Sequence, residues 1–566
     1  MSKHRKSIKS YKMKSKLRVG ILVDSMQLEV WKDEIIKEIE SSNYAEVVLF
    51  IKRKDPRPIS NFKKLLKFRK SIVFVLLSKF DAFLSKRLIR KHKSAFKRIN
   101  YESSSIPIIE VIPTITKYKD IIKDQDIEEI CSYNLDVIFR FGFRILKGRI
   151  LNEASSHGVW SYHHGDNKVN RGGPPCFWEV LEGWDETGAI VQRLSDSLDG
   201  GFVLAKTNIA TYKYNIAENK NRLYWRASKL ITRLLKDLYL NDSIHFYKSK
   251  KILNNDLGTY DNKLYKAPEN LKGLLMVFKY FKILFLQILN VSMFKYQWFL
   301  LYKSNSNIEN LSLRTLKRIE SSKKLFWADP FIITEGNRDY IFVEEFNWRK
   351  MKGHISVIEN NENDIIKVTK VIDNNYHFSY PFIFSFKNNY YMIPETSKNK
   401  TIELYKCVEF PYNWQFTKNV FEDIVAVDTT LFFYNEIWWM FTSIDETKKS
   451  SNHDELFIFY TNDPINGSWL PHTQNPVISD AKIARPAGNI FIKEGRIFRP
   501  SQNCTGIYGS SININEILTL TIDKYEEKLL SNLKPNWDNE LVGIHSLNFS
   551  DKSIVLDGFK KTFKYF

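Results

Sequence analysis

From Phe326 onward one unit keeps returning. FWADPFIITEGNRDYIFVEE starts at Phe326, YPFIFSFKNNYYMIPETS at Tyr380, VDTTLFFYNEIWWMFTS at Val427 and RPAGNIFIKEGRIFRPSQN at Arg485. A worn copy, IHSLNFSDKSIVLDG, starts at Ile544. Each copy is an apolar strand, a turn rich in Asn, Gly or Lys, and an aromatic strand. Pro330, Pro381, Thr429 and Pro486 occupy matching places, at a spacing of roughly 50 residues. A hairpin cannot bury both its faces alone, so repeated hairpins must stack on one another. A period of this length predicts the blades of a β-propeller, and five copies predict five blades.

The first half has a different grain. Leu17 to Val23 (LRVGILV), Glu46 to Lys52 (EVVLFIK) and Asp136 to Phe141 (DVIFRF) are short β-rich runs, and Val30 to Ile39 has helical spacing. Apolar strands separated by helical stretches predict a parallel, doubly wound α/β sheet. No GxGxxG follows the first strand, so a dinucleotide site of the usual kind is not expected.

The formal charge of +21 is unevenly placed. Residues 1–20 and 52–100 carry nearly all of the surplus, the latter with only Asp55 and Asp81 as acids. Within the second stretch Phe62, Leu65, Leu66, Val73, Leu76, Leu77, Phe80, Phe83 and Leu84 recur at three- and four-residue spacing, predicting an amphipathic helical insertion. Its basic face suits either solvent or anionic lipid headgroups. Nucleic acid is not an expected partner, because no aromatic β platform is laid out there. Leu271 to Tyr302 reads as one or two apolar helices with scattered lysines, fit for interdomain packing or the surface of a membrane. The expected division is a basic tail (1–16), an α/β domain (17–242) with an insertion (56–100), a linker and helical connector (243–310), and the propeller (311–566).

Cys131, Cys176, Cys407 and Cys504 are widely spaced, which argues against a disulfide framework or zinc knuckle and for a reducing compartment. No secretory signal and no uninterrupted apolar run near 20 residues is seen, so a cytoplasmic location is expected, with membrane contact only from the inner surface.

Around Gly158 the chain reads GVWSYHHGDNKVNRGGPPCFWEVLEGWDETGAIVQRLSDSLDGGFVLA. This closely resembles the formyltransferase family, in which a strand ends in Asn-x-His and is followed by an Arg-Gly-x-x-Pro loop, a Gly-x-x-x-Thr-Gly stretch and a Leu-Asp-x-Gly turn. His163 falls on the family's His, Arg171, Gly172 and Pro175 on the loop, Gly183 to Gly188 on the next stretch, and Leu198 to Gly201 on the turn. The resemblance implies formyl transfer from 10-formyltetrahydrofolate to an amine. In it His163 contacts the developing oxyanion or relays a proton, Asp199 tunes His163, and Arg171 and Gly172 shape the loop over the substrate.

One position departs. The family's Asn is Ser161, and its Pro after the His is His164. A lost oxyanion donor costs about 3–4 kcal/mol, so several outcomes stand open. The substrate sits closer, His164 or Asp166 substitutes, the donor is not formyl-folate, or activity is lost. A metal site at His163, His164 and Asp166 is disfavoured, since adjacent strand residues point to opposite faces.

The repeats resemble the five-bladed propellers of arabinan- and fructan-acting glycoside hydrolases, and more closely the amino-terminal propeller of glucosamine inositolphosphorylceramide transferases. Asp329 and Asp428 match mouth-lining carboxylates; Glu395 is a stand-in for a third, and Arg485 and Arg499 appear where it was expected. Together the resemblances imply formylation of an amino sugar, lipid-linked or otherwise, for a surface glycan. The alternative is a glycan-binding or hydrolase-like propeller beside a degenerate formyltransferase domain. A tRNA acceptor has only the basic surface in its favour.

Overall fold

The structure, a computed structural model, describes residues 14–54, 69–89, 93–102, 105–116, 118–196, 200–254, 260, 262–304, 313–361 and 364–564. The chain divides into two compact units, one of residues 1–176, 188–206 and 223–270, the other of 177–187, 207–222 and 271–566.

The first unit is organised on a seven-stranded sheet. Its strands are β1 (Leu17–Val23), β2 (Ala45–Arg53), β3 (Ile108–Val111), β4 (Val137–Arg140), β5 (Val159–His163), β6 (Glu186–Arg193) and β7 (Phe202–Ala210). Their spatial order is β7-β6-β5-β4-β1-β2-β3. The pairs from β5 through β3 are parallel, and β6 runs antiparallel to β5. The Val- and Ile-rich runs are continuous because both faces are covered. Leu22, Leu49, Ile51, Ile138 and Val159 lie in one core. On α1 (Val30–Glu40), Val30, Trp31, Ile35, Ile36 and Ile39 form a buried stripe.

The chain runs from β1 outward to β2 and β3, then returns to the opposite side of β1 as β4. That reversal opens a crevice beyond the carboxyl ends of β1 and β4, where open α/β sheets place ligands. Asp24 follows β1, Arg140 closes β4, and His163 closes the neighbouring β5.

The expected insertion is found in part. Phe62, Leu65 and Leu66 lie outside the described residues, and α2 spans Ile72–Leu84. Its apolar face is not packed away: only Leu77 and Asp81 are buried, while Ile72, Leu76, Phe80 and Phe83 are exposed.

The apolar connector differs from its expected form. A helix runs only from Asn270 to Met293, and Phe294–Ser304 is a strand. That strand pairs antiparallel along its whole length with Ser553–Phe563, so it belongs to the sheet-rich region rather than to a connector ending at 310. The switch has a local cause: Phe294, Tyr296 and Trp298 alternate, and aromatic residues at period two favour a pleated surface. The helix is long and apolar enough to cross a membrane by length and composition, although lysines interrupt its apolar run.

Among the described residues, five antiparallel sheets make up the sheet-rich region of the second unit. Four use consecutive stretches of chain, beginning at Leu325, Ser379, Ala426 and Phe491. The fifth joins Lys317–Ile319, Phe294–Ser304, Ser553–Phe563 and Leu541–Gly543, so it is built from both ends of the region.

Candidate functional site

Ser161 and His163 share one face of β5, and Ser161 lies opposite Arg140 on β4. Arg140 reaches across to Ser161. Its Nε donates to Ser161 Oγ at 3.0 Å and its Nη1 to the Arg144 carbonyl at 2.8 Å. Its Nη2 has no hydrogen-bond acceptor among the described residues. Burial draws the guanidinium's pKa down and Asp24 draws it back up, yet a guanidinium stays cationic under any working condition. Ser161, itself buried, donates to the Tyr162 carbonyl at 3.2 Å. It therefore anchors Arg140 and has no hydrogen left for an oxyanion.

His163 Nε2 lies 3.0 Å from the Asn170 carbonyl. A carbonyl only accepts, so the ring proton is assigned to Nε2, and Nδ1 keeps a lone pair. That tautomer can take a proton from an attacking amine. The His163 loop is held tightly. Asn170 Oδ1 accepts from Gly172 N at 2.9 Å, Arg171 Nε donates to the Asn167 carbonyl at 2.8 Å, and the Arg171 guanidinium lies 4.7 Å over the Tyr260 ring. A Cβ on Gly172 would stand 2.0 Å from the Tyr265 carbonyl oxygen, so glycine is required for this approach.

The other expected residues separate. His164 faces away from His163 and stacks on Tyr224 at 3.6 Å and 2°. Asp166 is paired with Lys206 Nζ at 2.7 Å. Neither lies against Ser161; Arg140 does. The sequence reading missed it, although a charge at the end of a buried strand, in DVIFRF, was the available signal. Asp199 and Leu198 lie outside the described residues. The segments on either side of that turn line a cavity of about 640 Å³, with Arg193, Phe202, Tyr247, Lys248 and Lys251 on its walls. Cations and aromatic rings in a pocket of this size suit an anionic, ring-bearing ligand.

In the second unit the repeats bring one residue each to a common cluster. In the first three sheets the innermost strand is bulged, between Ala328 and Phe331, Ser379 and Phe382, and Val427 and Thr430. The bulges put Asp329, Tyr380 and Asp428 at φ of 50°, 43° and 51°, a strained conformation for side chains that must point inward. Arg485 and His545 come from the fourth and fifth copies. Arg485 Nη2 donates to Asp428 Oδ1 at 3.2 Å, and Gln502 Nε2 donates to Asp428 Oδ2 at 2.6 Å. Asp329 Oδ2 accepts from Tyr380 N at 3.2 Å, and His545 Nδ1 sits 2.6 Å from Asp557 Oδ2. Glu395 Oε2 lies 3.6 Å from Arg485. Arg499 does not join this cluster: it is buried against Glu527 at 2.7 Å within its own sheet.

Glu344, Asp557 and His545 were missed. Glu344 was findable, because it faces Ala328 in the first copy as Glu395 faces Ser379 in the second. Asp329, His545 and Asp557 lie close enough to hold a cation, but hydrogen bonds within the cluster already use them.

Burial pushes Asp329 up to about 7 and Glu395 up to about 8 and raises Glu344; it draws His545 down, but Asp557 and Asp329 outweigh it and raise His545. A carboxyl raised in the folded state holds a proton that the unfolded chain has released, so its contribution is lost as pH climbs through that window. The raised His545 loses its contribution in the same direction, whereas Asp557, whose pKa is lowered, loses its own only in acid. Between pH 5 and 8 the sheet-rich region is therefore expected to lose stability. Its melting temperature should fall as pH rises over this range, and Glu395→Gln should flatten the slope. A melting temperature that is level or rising over this range contradicts the assignment.

Residues 314–538, less than half of the chain, match the family described as glucosamine inositolphosphorylceramide transferase 1, N-terminal. Among individual proteins, the glucosamine inositolphosphorylceramide transferase 1 of Oryza sativa subsp. japonica is 36% identical over 208 residues, covering 36% of this chain and 27% of that one. Its Arabidopsis thaliana counterpart is 29% identical over 206 residues. The chain thus spans about a quarter of the length of these relatives. A methionyl-tRNA formyltransferase of Prochlorococcus marinus is 28% identical over 117 residues, 20% of this chain and 34% of that one. Among solved structures, a GH62 α-L-arabinofuranosidase from Coprinopsis cinerea has a TM-score of 0.32 at 10% identity, covering 46% of this chain and 97% of that one. Glycinamide ribonucleotide transformylase 1 from Geobacillus kaustophilus has a TM-score of 0.28 at 15% identity, covering 40% and 100%. Superpositions this weak carry no weight here.

Proposed function

We propose that this chain is an acyl transferase that moves a formyl group from 10-formyltetrahydrofolate to the amine of a sugar bound for a surface polysaccharide or glycolipid. The observation that carries the reading is the pairing of an available His163 Nδ1 with an unspent Arg140 Nη2 beyond the carboxyl ends of neighbouring strands. Two residues of strand, roughly 7 Å, separate Ser161 from His163, which leaves room for a carbonyl group. The formyl donor supplies an activated one-carbon acyl group. His163 Nδ1 takes the proton of the attacking amine and returns it to the donor nitrogen as the bond from that nitrogen to the formyl carbon breaks, and Arg140 Nη2 donates to the carbonyl oxygen while it carries negative charge. Asp199, by the resemblance alone, steers the amine and tunes His163. Arg193, Lys248, Lys251, Phe202 and Tyr247 hold the anionic, ring-bearing part of donor or acceptor.

The five sheets serve as a five-bladed propeller that presents the acceptor, and the protein works in the cytoplasm at the inner face of the membrane. The similarity to proteins named for glucosamine and inositolphosphorylceramide supports a sugar acceptor joined to a lipid. The similarity to methionyl-tRNA formyltransferases supports the donor. Purified protein mixed with formyl-folate and amino-sugar nucleotides or lipid-linked amino sugars should give a product heavier by one formyl group. No such product with any acceptor, together with no folate binding, sinks the proposal.

A second reading, a glycan-binding or hydrolytic propeller beside an inactive first unit, draws on Glu395, whose carboxyl stays protonated up to about 8. It is selected if Asp329→Ala abolishes activity and His163→Ala does not.

A further inference from the structure

One helix of the second unit shows solvent a face that water does not favour. In α7 (Asn270–Met293), which follows α3 (Asp124–Cys131), α4 (Phe177–Leu181), α5 (Ile216–Leu240) and α6 (Ser243–Ser249), only Gly273 and Tyr280 are buried. These two are seven residues apart and mark a narrow inner stripe. Leu271, Phe278 and Phe285 are 79%, 66% and 60% exposed, and Leu286, Ile288 and Val291 continue the outer surface. An exposed apolar patch running along about six helical turns is an interaction surface, not a solvated face.

Charge selects the partner. No acidic residue occurs from Asn270 to Ile308. Lys282 is exposed on α7 with no ion pair among the described residues. Lys279, by contrast, fastens the inner side of the helix to Glu182 at 2.9 Å, and Lys272 lies 4.6 Å over the Trp178 ring. An apolar ridge with an outward lysine and no anion matches a bilayer rich in acidic lipid. The inner fastenings orient it: α7 cannot leave Glu182 and Trp178 to thread a bilayer without breaking both.

We propose that α7 docks the protein on an anionic phospholipid surface, lying in the plane of the interface with Phe278 and Phe285 among the acyl chains and Lys282 at the headgroups. This surface is independent of the transfer chemistry, and its test reads binding alone.

The full chain is floated with vesicles of phosphatidylcholine containing phosphatidylserine, and with phosphatidylcholine alone. Co-flotation with the mixed vesicles is expected, weakened by about tenfold for Phe278→Asp/Phe285→Asp and by a smaller factor for Lys282→Glu. The helical signal and melting temperature of both variants should match the parent, since none of these side chains is buried. Equal flotation of parent and double variant overturns the proposal, as does no flotation of the parent. Two further outcomes also overturn it: a lipid-free dimer that the double variant abolishes, which gives the face to a second copy, and resistance of the bound protein to alkaline extraction, which means a spanning helix. Leu76→Asp on α2, an exposed site in the other unit, measures separately whether that helix adds to binding.

Discussion

Arg140→Gln is expected to lower kcat by about 100- to 1,000-fold while leaving KM within about threefold. Oxyanion donors act only once charge develops, so their removal spares the ground state. Glutamine still reaches Ser161 Oγ, the anchor that Nε uses at 3.0 Å, but it cannot span to the Arg144 carbonyl and the reacting oxygen together. Arg140→Lys should recover only a small part of the rate, because an ammonium is a single point of charge where the guanidinium is a fork. Steady-state kinetics with formyl-folate and an accepted amino sugar decide the matter. Turnover by Arg140→Gln within threefold of the parent removes the residue from the reaction, while leaving the transfer itself intact. A parent enzyme without turnover removes both.

The second large effect is at His163. Loss of a general base typically costs 10²- to 10⁴-fold, and the two ring nitrogens allow the base to be separated from the anchor. His163→Ala loses both Nδ1 and the bond from Nε2 to the Asn170 carbonyl. It should therefore lower kcat by about a thousandfold and raise KM as the loop through Arg171 slackens. His163→Gln can keep a donor for Asn170 but offers no comparable base, so kcat should fall alike with KM near normal. If His163→Gln turns over at the parent rate, the imidazole only positions the loop.

Much of this arrangement could be read from the chain. The strands Leu17–Val23 and Ala45–Arg53 and the helix Val30–Glu40 appear where β-rich runs and helical spacing placed them, because a sheet covered on both faces leaves continuous apolar runs. The repeats announced the residues that meet in the second unit, since Asp329, Asp428 and Arg485 each sit one place before a matching position. Arg499 was misjudged for the same reason. It also precedes a proline, but it lies on the strand that pairs outward and finds Glu527 there. Arg140 escaped notice because its partner Ser161 stands 21 positions away on the next strand, and cross-strand register is not written in local spacing. The helix ending at Met293 was overrun because lysines and apolar residues continue unchanged into Phe294–Ser304; only a partner near the far end of the chain makes that stretch a strand.

That last pairing sets an order of events during synthesis. Phe294–Ser304 emerges from the ribosome with aromatic side chains and an open edge, and its mate Ser553–Phe563 follows only after about 250 further residues. At bacterial or eukaryotic elongation rates that is a wait of tens of seconds. For that interval the nascent polypeptide carries an unclosed β edge beside a greasy helix, a combination prone to mispairing between neighbouring chains. A surface that shelters the helix early would shorten the list of wrong partners, so the place of translation bears on the yield of folded protein.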